Sequence, residues 1–222
     1  MSAVEWSVPV GDAHVSAVYE SAGADSQQLG VFVCAHGAGG SMSDRGMLTT
    51  ANTMRKAGLG VVRFNFVYKE KKSGRPDAMP LLMSTTDAVV AHVRAELAPK
   101  RLFIGGRSMG GRAASMLAAE GYPADGLILL AYPLHPAGQP EKLRDAHLPR
   151  ITMPVLCFNG TRDPLCTREL MERALTTVKT FWEMRWEEGA DHSFHVLKSS
   201  GRTDAEVMDS IGEATRRWVI AR

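Results

Sequence analysis

The stretch that decides the fold is LFIGGRSMGG, residues 102–111. An apolar run before the glycines predicts a buried strand over residues 102–105, and the segment after Ser108 predicts a helix over about 109–120. Gly106 and Gly110 flank Ser108 in a G-x-S-x-G pattern, which is weak alone but meaningful at a strand-to-helix turn. Such a turn strains the serine backbone and leaves no room for side chains at the two glycine positions. The stretch therefore predicts a nucleophile elbow that presents Ser108.

The rest of the chain alternates between short apolar runs and segments with helical periodicity. Alternation of this kind indicates β-α-β units with right-handed crossovers. We therefore predict an α/β fold with an about eight-stranded, mostly parallel sheet flanked by helices, in a single domain over residues 1–222. The first two strands are expected to form an antiparallel hairpin. The predicted strands are 4–8, 15–19, 30–35, 61–66, 102–105, 127–131, 155–159 and 181–186, and the helices are 43–57, 81–97, 109–120, 167–177 and 204–220.

Two further polar residues follow strand ends in the order that a serine nucleophile requires. A serine hydroxyl needs a base, and the base needs a carboxylate to orient it. Asp163 comes just after the strand at 155–159, and His192 lies in the turn after the strand at 181–186. Since the carboxyl ends of parallel strands share one edge, we predict Ser108 as nucleophile, Asp163 as acid and His192 as base.

Other residues near these turns are weaker candidates. His195 is an alternative base, since it lies three residues after His192. Asp191 is an alternative acid with poor geometry, because it is the immediate neighbour of His192. Glu169 is expected on a helix surface. The remaining histidines considered, to which we assign no role, are His14, His92 and His147.

The loop after the strand at 30–35 supplies candidate donors for an oxyanion. A tetrahedral intermediate needs backbone N–H groups near its negative oxygen. We predict the N–H of Met109 as one donor and that of Ala38 as the other, with Gly37 or Gly39 as alternatives. His36 is expected to fix this loop rather than to act as a second base.

These motifs together resemble the α/β-hydrolase superfamily over essentially the whole chain. A finer similarity is to a dienelactone-hydrolase-like branch that includes a testis-expressed protein and a chromatin-complex subunit. The resemblance implies a hydrolase core with the same three catalytic residues, although dienelactone hydrolases themselves have a cysteine where Ser108 stands. The segments that carry it are HGAGG (36–40), RFNF (63–66), GGRSMGGR (105–112), AYPLHP (131–136), KLRDAHL (142–148), NGTRDP (159–164) and GADHSF (189–194).

The segment 132–152 is too short for a cap domain, although one helical turn fits. We therefore expect no cap domain and an open, shallow site for small or exposed acyl groups. Tyr132 and His135 follow a strand end and are tentative substrate contacts, as are Gly37 and Arg107. Arg107 has two interpretations, a carboxylate-binding residue or a salt-bridge partner. The basic loop 69–75 either overhangs the site or is a solvated loop.

Composition narrows the function without identifying it. Among 222 residues, Lys plus Arg number 26 and Asp plus Glu 24, so the formal net charge of +2 gives no reason to expect nucleic acid or membrane binding. Three widely spaced cysteines and the absence of a signal-like start favour a cytoplasmic protein. We predict a serine hydrolase that cleaves a small-molecule ester or thioester without a metal or cofactor. The alternatives are a non-catalytic scaffold with a hydrolase fold, and a peptidase.

Overall fold

A sheet of eight strands forms the centre of the computed structural model, which describes residues 3–23 and 27–222. The strand order is β1-β2-β4-β3-β5-β6-β7-β8. Strand β2 pairs antiparallel with β1 and β4, and the remaining neighbours are parallel. This confirms the predicted sheet. The strands are β1 Val4–Val10, β2 Ala13–Glu20, β3 Gly30–Ala35, β4 Leu59–Phe64, β5 Leu102–Arg107, β6 Gly126–Leu130, β7 Val155–Gly160 and β8 Trp182–Glu187.

The helices fall where the periodicity predicts them, with ends that differ by a few residues. They are α1 Arg45–Lys56, α2 Val67–Glu70, α3 Met79–Leu97, α4 Ser108–Ala119, α5 Arg168–Leu175 and α6 Asp204–Ile220, with 3-10 turns at Leu148–Arg150 and Lys198–Ser200. The short helix α2 was not predicted. The strand predicted over 61–66 ends at Phe64, because the next two residues bind the β3 loop instead: Asn65 accepts from the Met42 N–H, and the Phe66 N–H donates to His36.

Two hydrophobic layers cover the sheet. Successive side chains of a strand point to opposite faces. Accordingly, Val31 and Val33 of β3 pack with α3, α4 and α5, whereas Phe32 and Cys34 pack with α1 and α6. Each large apolar side chain buried in this way contributes about 1.5–3 kcal/mol. The strands in the middle of the sheet have continuous apolar sequences because helices cover both of their faces.

The two layers separate at neighbouring strands in the middle of the sheet. After β3 the chain enters α1 on one face, and after β5 it enters α4 on the other, although β3 and β5 are paired. A crevice at the carboxyl ends of the strands forms at such a switch point. The loop 36–40 and the turn at Ser108 both lie there.

The segment between β6 and β7 folds back onto the protein rather than over the site. The Tyr132 hydroxyl donates to the Arg144 carbonyl at 2.7 Å, and one 3-10 turn is present at Leu148–Arg150. Within residues 3–23 and 27–222 the fold is thus an α/β-hydrolase fold without a cap domain. In this same part of the chain, every helix is too short or too polar to cross a bilayer.

Candidate functional site

The turn between β5 and α4 is a strained elbow. Ser108 has a φ of 47°, in the left-handed region that a residue with a side chain rarely adopts. The two flanking residues must be glycines, because the backbone next to them leaves no space for a side chain. A Cβ at Gly106 would lie 2.2 Å from the Ala35 carbonyl oxygen, and one at Gly110 would lie 2.5 Å from the His36 carbonyl oxygen. The close approach of β3 to both sides of the elbow therefore explains the spacing of the two glycines.

Three side chains from separate strand-end loops meet at this elbow. The Ser108 Oγ lies 2.9 Å from His192 Nε2, and Asp163 Oδ2 lies 2.8 Å from His192 Nδ1. An ionised carboxylate only accepts hydrogen bonds, so the Nδ1 atom carries the imidazole proton and the Nε2 lone pair faces the hydroxyl. The structure thus brings together the three residues that the sequence predicted as nucleophile, acid and base.

A fourth residue, which the sequence analysis did not identify, holds the carboxylate. The Asn159 side chain is fully buried and donates to Asp163 Oδ2 at 3.2 Å, while the Leu165 N–H donates to Oδ1 at 2.8 Å. The same amide is fixed by Tyr132, whose N–H and carbonyl it binds at 3.2 Å and 3.1 Å. Asn159 thus ties the end of β6 to the acid. A polar residue inside an otherwise apolar strand was the available signal.

Backbone hydrogen bonds fix the loop that carries His192. The Thr161 N–H donates to the Glu187 carbonyl at 3.1 Å, and the Arg162 N–H donates to the Ala190 carbonyl at 2.9 Å. These bonds join the loop after β7 to the loop after β8. Asp191 closes the turn itself, since its Oδ1 accepts from the N–H groups of Ser193 and His195. Asp191 is therefore a loop residue, and it is not hydrogen-bonded to a histidine ring in the described residues.

The loop 36–40 approaches the elbow from β3. His36 is buried, its Nδ1 lies 2.8 Å from the Gly37 carbonyl, and its Nε2 accepts from the Phe66 N–H at 3.3 Å. Burial lowers the pKa of His36, which favours this neutral, loop-holding state. In the described part of the chain, the N–H groups of Ala38 and Met109 donate to no protein acceptor. Both donors remain available at the predicted oxyanion position.

A cavity of about 950 Å³ opens beside Ser108. Its walls come from the loop 36–40, the loop 192–195, helix α1 and the first half of α6. The site is therefore larger than the shallow surface that the short 132–152 segment led us to expect. Gly37, Ala38 and Arg107 line this cavity, together with Ser108 and His192.

Two of the tentative substrate contacts lie elsewhere. Tyr132 and His135 are buried at 0% and 2% exposure and do not line the cavity, which corrects their predicted position. A strand-end position does not decide which way a side chain points, and here the Tyr132 ring turns under the 132–152 segment. The basic loop 69–75 is also absent from the cavity lining. Its first two residues are the last two of α2, and there Glu70 accepts from the N–H of Ser16 on β2, the strand next to β4.

The competing histidines have other partners. The His195 Nδ1 lies 2.9 Å from Asp204 Oδ2 at the start of α6, and this hydrogen bond raises the pKa of His195. His147 lies 2.8 Å from Ser115 Oγ in the interior, where both side chains are buried. His192 is the histidine that the described structure places against Ser108.

Comparisons with known proteins agree with this fold. The family model described as "Alpha/beta hydrolase domain" matches residues 28–220. The structure is similar to an alpha-beta serine hydrolase homologue from Coxiella burnetii (TM-score 0.76, 19% identity, covering 96% of both chains). It is also similar to a serine hydrolase without lid from Xanthomonas campestris (0.75, 22%, covering 97% of this chain and 94% of that one). A third similar structure is dienelactone hydrolase from Anabaena variabilis, with a TM-score of 0.74 and 19% identity. The match covers 99% of this chain and 97% of that one.

Proposed function

Because the chain belongs to the alpha/beta hydrolase domain family, we propose that it is a serine hydrolase that cleaves a carboxylic ester or thioester. The observation that carries the proposal is the continuous hydrogen-bonded path from Ser108 through His192 to Asp163, at 2.9 Å and 2.8 Å. The side chain of His192 is 26% exposed while that of Asp163 is fully buried. A substrate can therefore reach the hydroxyl and the base, but water does not reach the acid.

In the proposed reaction, Ser108 Oγ attacks the carbonyl carbon while His192 Nε2 accepts the hydroxyl proton. The imidazolium that forms is stabilised by the carboxylate of Asp163, whose own geometry is held by Asn159 and the Leu165 N–H. The N–H groups of Ala38 and Met109 receive the negative oxygen of the tetrahedral intermediate. Donors placed in advance in this way typically contribute about 3–4 kcal/mol each to the lowering of the barrier.

Collapse of the intermediate returns the proton from His192 to the leaving alcohol or thiol. An acyl group then remains on Ser108, and a water molecule activated by the same imidazole hydrolyses it. The chemistry needs no group beyond these side chains and backbone donors. The cavity of about 950 Å³ leaves space for a substrate larger than an acetyl ester.

Pre-steady-state kinetics with 4-nitrophenyl acetate tests the proposal. We expect a burst of one 4-nitrophenolate per active site when acylation is faster than deacylation, and an acetyl group on Ser108 by mass spectrometry of the acid-quenched protein. Ser108→Ala should give neither a burst nor the adduct. A folded wild-type protein that shows no turnover and no adduct, yet purifies with a stoichiometric partner, would favour the scaffold alternative instead.

A further inference from the structure

The arginine before the candidate nucleophile is a charge in the cavity wall without an acidic partner. Arg107 is half-buried and lines the cavity together with Ser108. Its Nη1 donates to Thr50 Oγ1 at 3.2 Å, and its guanidinium lies over the Phe194 ring at 5.4 Å from the ring centre. Burial lowers the pKa of Arg107, in keeping with a cation that has lost part of its hydration.

The carboxylates nearest to this guanidinium are occupied by other donors. Asp44 uses Oδ2 for the Ser41 N–H and Oδ1 for the Met47 N–H, at 2.9 Å each. Asp191 Oδ1 accepts from the two backbone N–H groups of its own turn. Both acids act on Arg107 only from a distance. Among residues 3–23 and 27–222, no carboxylate lies within the 4.0 Å of an ion pair with Arg107.

A half-buried charge that lacks an acidic partner has lost part of its hydration without compensation, and an anion bound in the cavity would supply that compensation. A guanidinium has five N–H donors, and in the described structure one of those of Arg107 has a protein acceptor. Thr50 fixes the direction of the side chain, because its own hydroxyl is anchored to the Gly46 carbonyl at 2.8 Å. The arrangement holds Arg107 in place and leaves most of its donors unused.

The other charged groups of the cavity do not neutralise it. His195 and Asp204 pair with each other at the rim. The exposed residues Arg45, Lys56 and Asp209 line the outer part of the cavity, along α1 and α6. Beside Ser108 itself, Arg107 is therefore the fixed positive charge, with Asp44 and Asp191 at longer range. Such a setting suits a ligand with a single negative charge better than one with two.

We infer that Arg107 binds a carboxylate on the substrate, so that the preferred ester carries one ionised carboxylate close to the carbonyl that Ser108 attacks. This inference rests on the proposed hydrolase function and specifies its substrate class. The planar fork of a guanidinium matches a carboxylate with two parallel hydrogen bonds. The pairing also explains why an arginine stands at the position between Gly106 and Ser108, where a small or apolar side chain would suffice for the elbow.

Two esters of equal chain length test the inference. We compare 4-nitrophenyl hydrogen glutarate, which is anionic, with 4-nitrophenyl pentanoate, which is neutral, and measure the ratio of their kcat/KM values. The wild type should favour the anionic ester by about tenfold or more, the size of a hydrogen-bonded charge pair. Arg107→Met should lower this ratio about tenfold, and Arg107→Lys should lower it less. Arg173→Met removes an exposed charge on α5, across the sheet, and should leave the ratio unchanged.

Binding to an inactive variant separates this inference from the proposed function. In Ser108→Ala, methyl hydrogen glutarate should bind measurably more tightly than dimethyl glutarate by calorimetry, and the additional Arg107→Met change should remove the difference. This arm needs no turnover, so an absent hydrolase activity does not decide it. Equal binding of the two glutarates overturns the inference. So does an Arg107→Met variant that loses activity on both nitrophenyl esters equally, which would indicate a packing role.

Discussion

Helix α4 carries two serines that each lie against a histidine, and only one of the two pairs has the partners that nucleophilic catalysis requires. Ser108, at the start of the helix, is 2.9 Å from His192. Ser115, two turns later, is 2.8 Å from His147. The distances are equivalent, but Ser108 lines the cavity and Ser115 has no exposed surface.

The two pairs differ in which group donates the hydrogen bond between the serine and the histidine. The Ser115 hydroxyl donates to the Arg112 carbonyl at 2.7 Å, so its oxygen accepts from His147, whose Nε2 must carry a proton. Burial lowers the pKa of His147 to about 4, which keeps the ring neutral near pH 7. In the described residues no carboxylate is hydrogen-bonded to His147. A carboxylate on the far nitrogen, as Asp163 provides for His192, is what turns a histidine into a base toward its serine.

Removing the two hydroxyls in turn should give the largest difference between the two serine–histidine pairs. Ser108→Ala is expected to lower kcat/KM for 4-nitrophenyl acetate by about 10⁶-fold, because the attacking oxygen is gone. Ser115→Ala should change kcat/KM less than about threefold, but should lower the free energy of unfolding by about 1–3 kcal/mol, since the His147 N–H then loses its closer acceptor and keeps only the Tyr132 hydroxyl oxygen, 3.5 Å away. Steady-state kinetics and urea denaturation of both variants check this. A larger activity loss in Ser115→Ala would reverse the assignment.

Changing the acid should have a somewhat smaller effect. Asp163→Asn preserves the shape of the side chain but offers an amide that can donate to Nδ1, so His192 can take up the wrong tautomer. We expect kcat to fall by about 10⁴-fold, as for the equivalent change in other triads. Asp204→Asn, at the His195 pair, is the matched control and should cost far less. Equal losses in the two variants would speak against Asp163.

Asn159 should matter through the acid it holds. Asn159→Ala removes the bond to Asp163 Oδ2 and the two bonds to the Tyr132 backbone. We expect kcat to fall about tenfold with little change in KM, because loosening the acid weakens the base without altering the cavity. A lower melting temperature should accompany this loss. An unchanged kcat at the lower melting temperature would show that Asn159 acts only on stability.

The smallest effect is on stability and concerns His147. Its pKa is about 4 in the folded protein, below the ordinary value of 6.5, so the unfolded chain binds more protons between these values. The free energy of unfolding should therefore fall by about 1–3 kcal/mol as the pH drops from 6.5 to 4. In His147→Gln this decline in the free energy of unfolding should be shallower. It should not vanish, because the lowered pKa of His36 contributes a decline of the same sign.

His195→Gln is the control for that pH dependence, because the pKa of His195 is shifted the other way. Asp204 raises it, so His195 contributes stability below pH 6.5 that is lost as the pH rises through the higher folded value. This variant should retain the acid-side decline. Denaturant unfolding across the pH range gives the slopes. An equally steep decline in His147→Gln and the wild type would show that His147 does not cause the loss of stability at low pH.

Local pattern was enough to predict the sheet, the elbow and the three residues around it. The glycines at 106 and 110 encode close contact with β3, and Asp163 and His192 follow strand ends that a parallel sheet must bring to one edge. The order of the motifs along the chain therefore carried three-dimensional information.

What the sequence did not predict depends on packing between distant segments. The cavity is formed where α1 meets the first half of α6, more than 140 residues later, and neither helix shows this in its own periodicity. On α1 itself, Leu48 is apolar but 46% exposed. Tyr132 was misplaced because a strand-end position does not fix the direction of the ring, whose hydroxyl binds the Arg144 carbonyl in the 132–152 segment.

Labelling with a fluorophosphonate probe tests whether Ser108 is an activated nucleophile, because the probe reacts only with a serine whose base and oxyanion donors are in place. Wild type, Ser108→Ala and Ser115→Ala are treated in parallel, and the modified peptide is located by mass spectrometry. We predict one adduct, on Ser108, in the wild type and in Ser115→Ala, and none in Ser108→Ala. An unlabelled but folded wild type, or an adduct on another serine, would contradict the account.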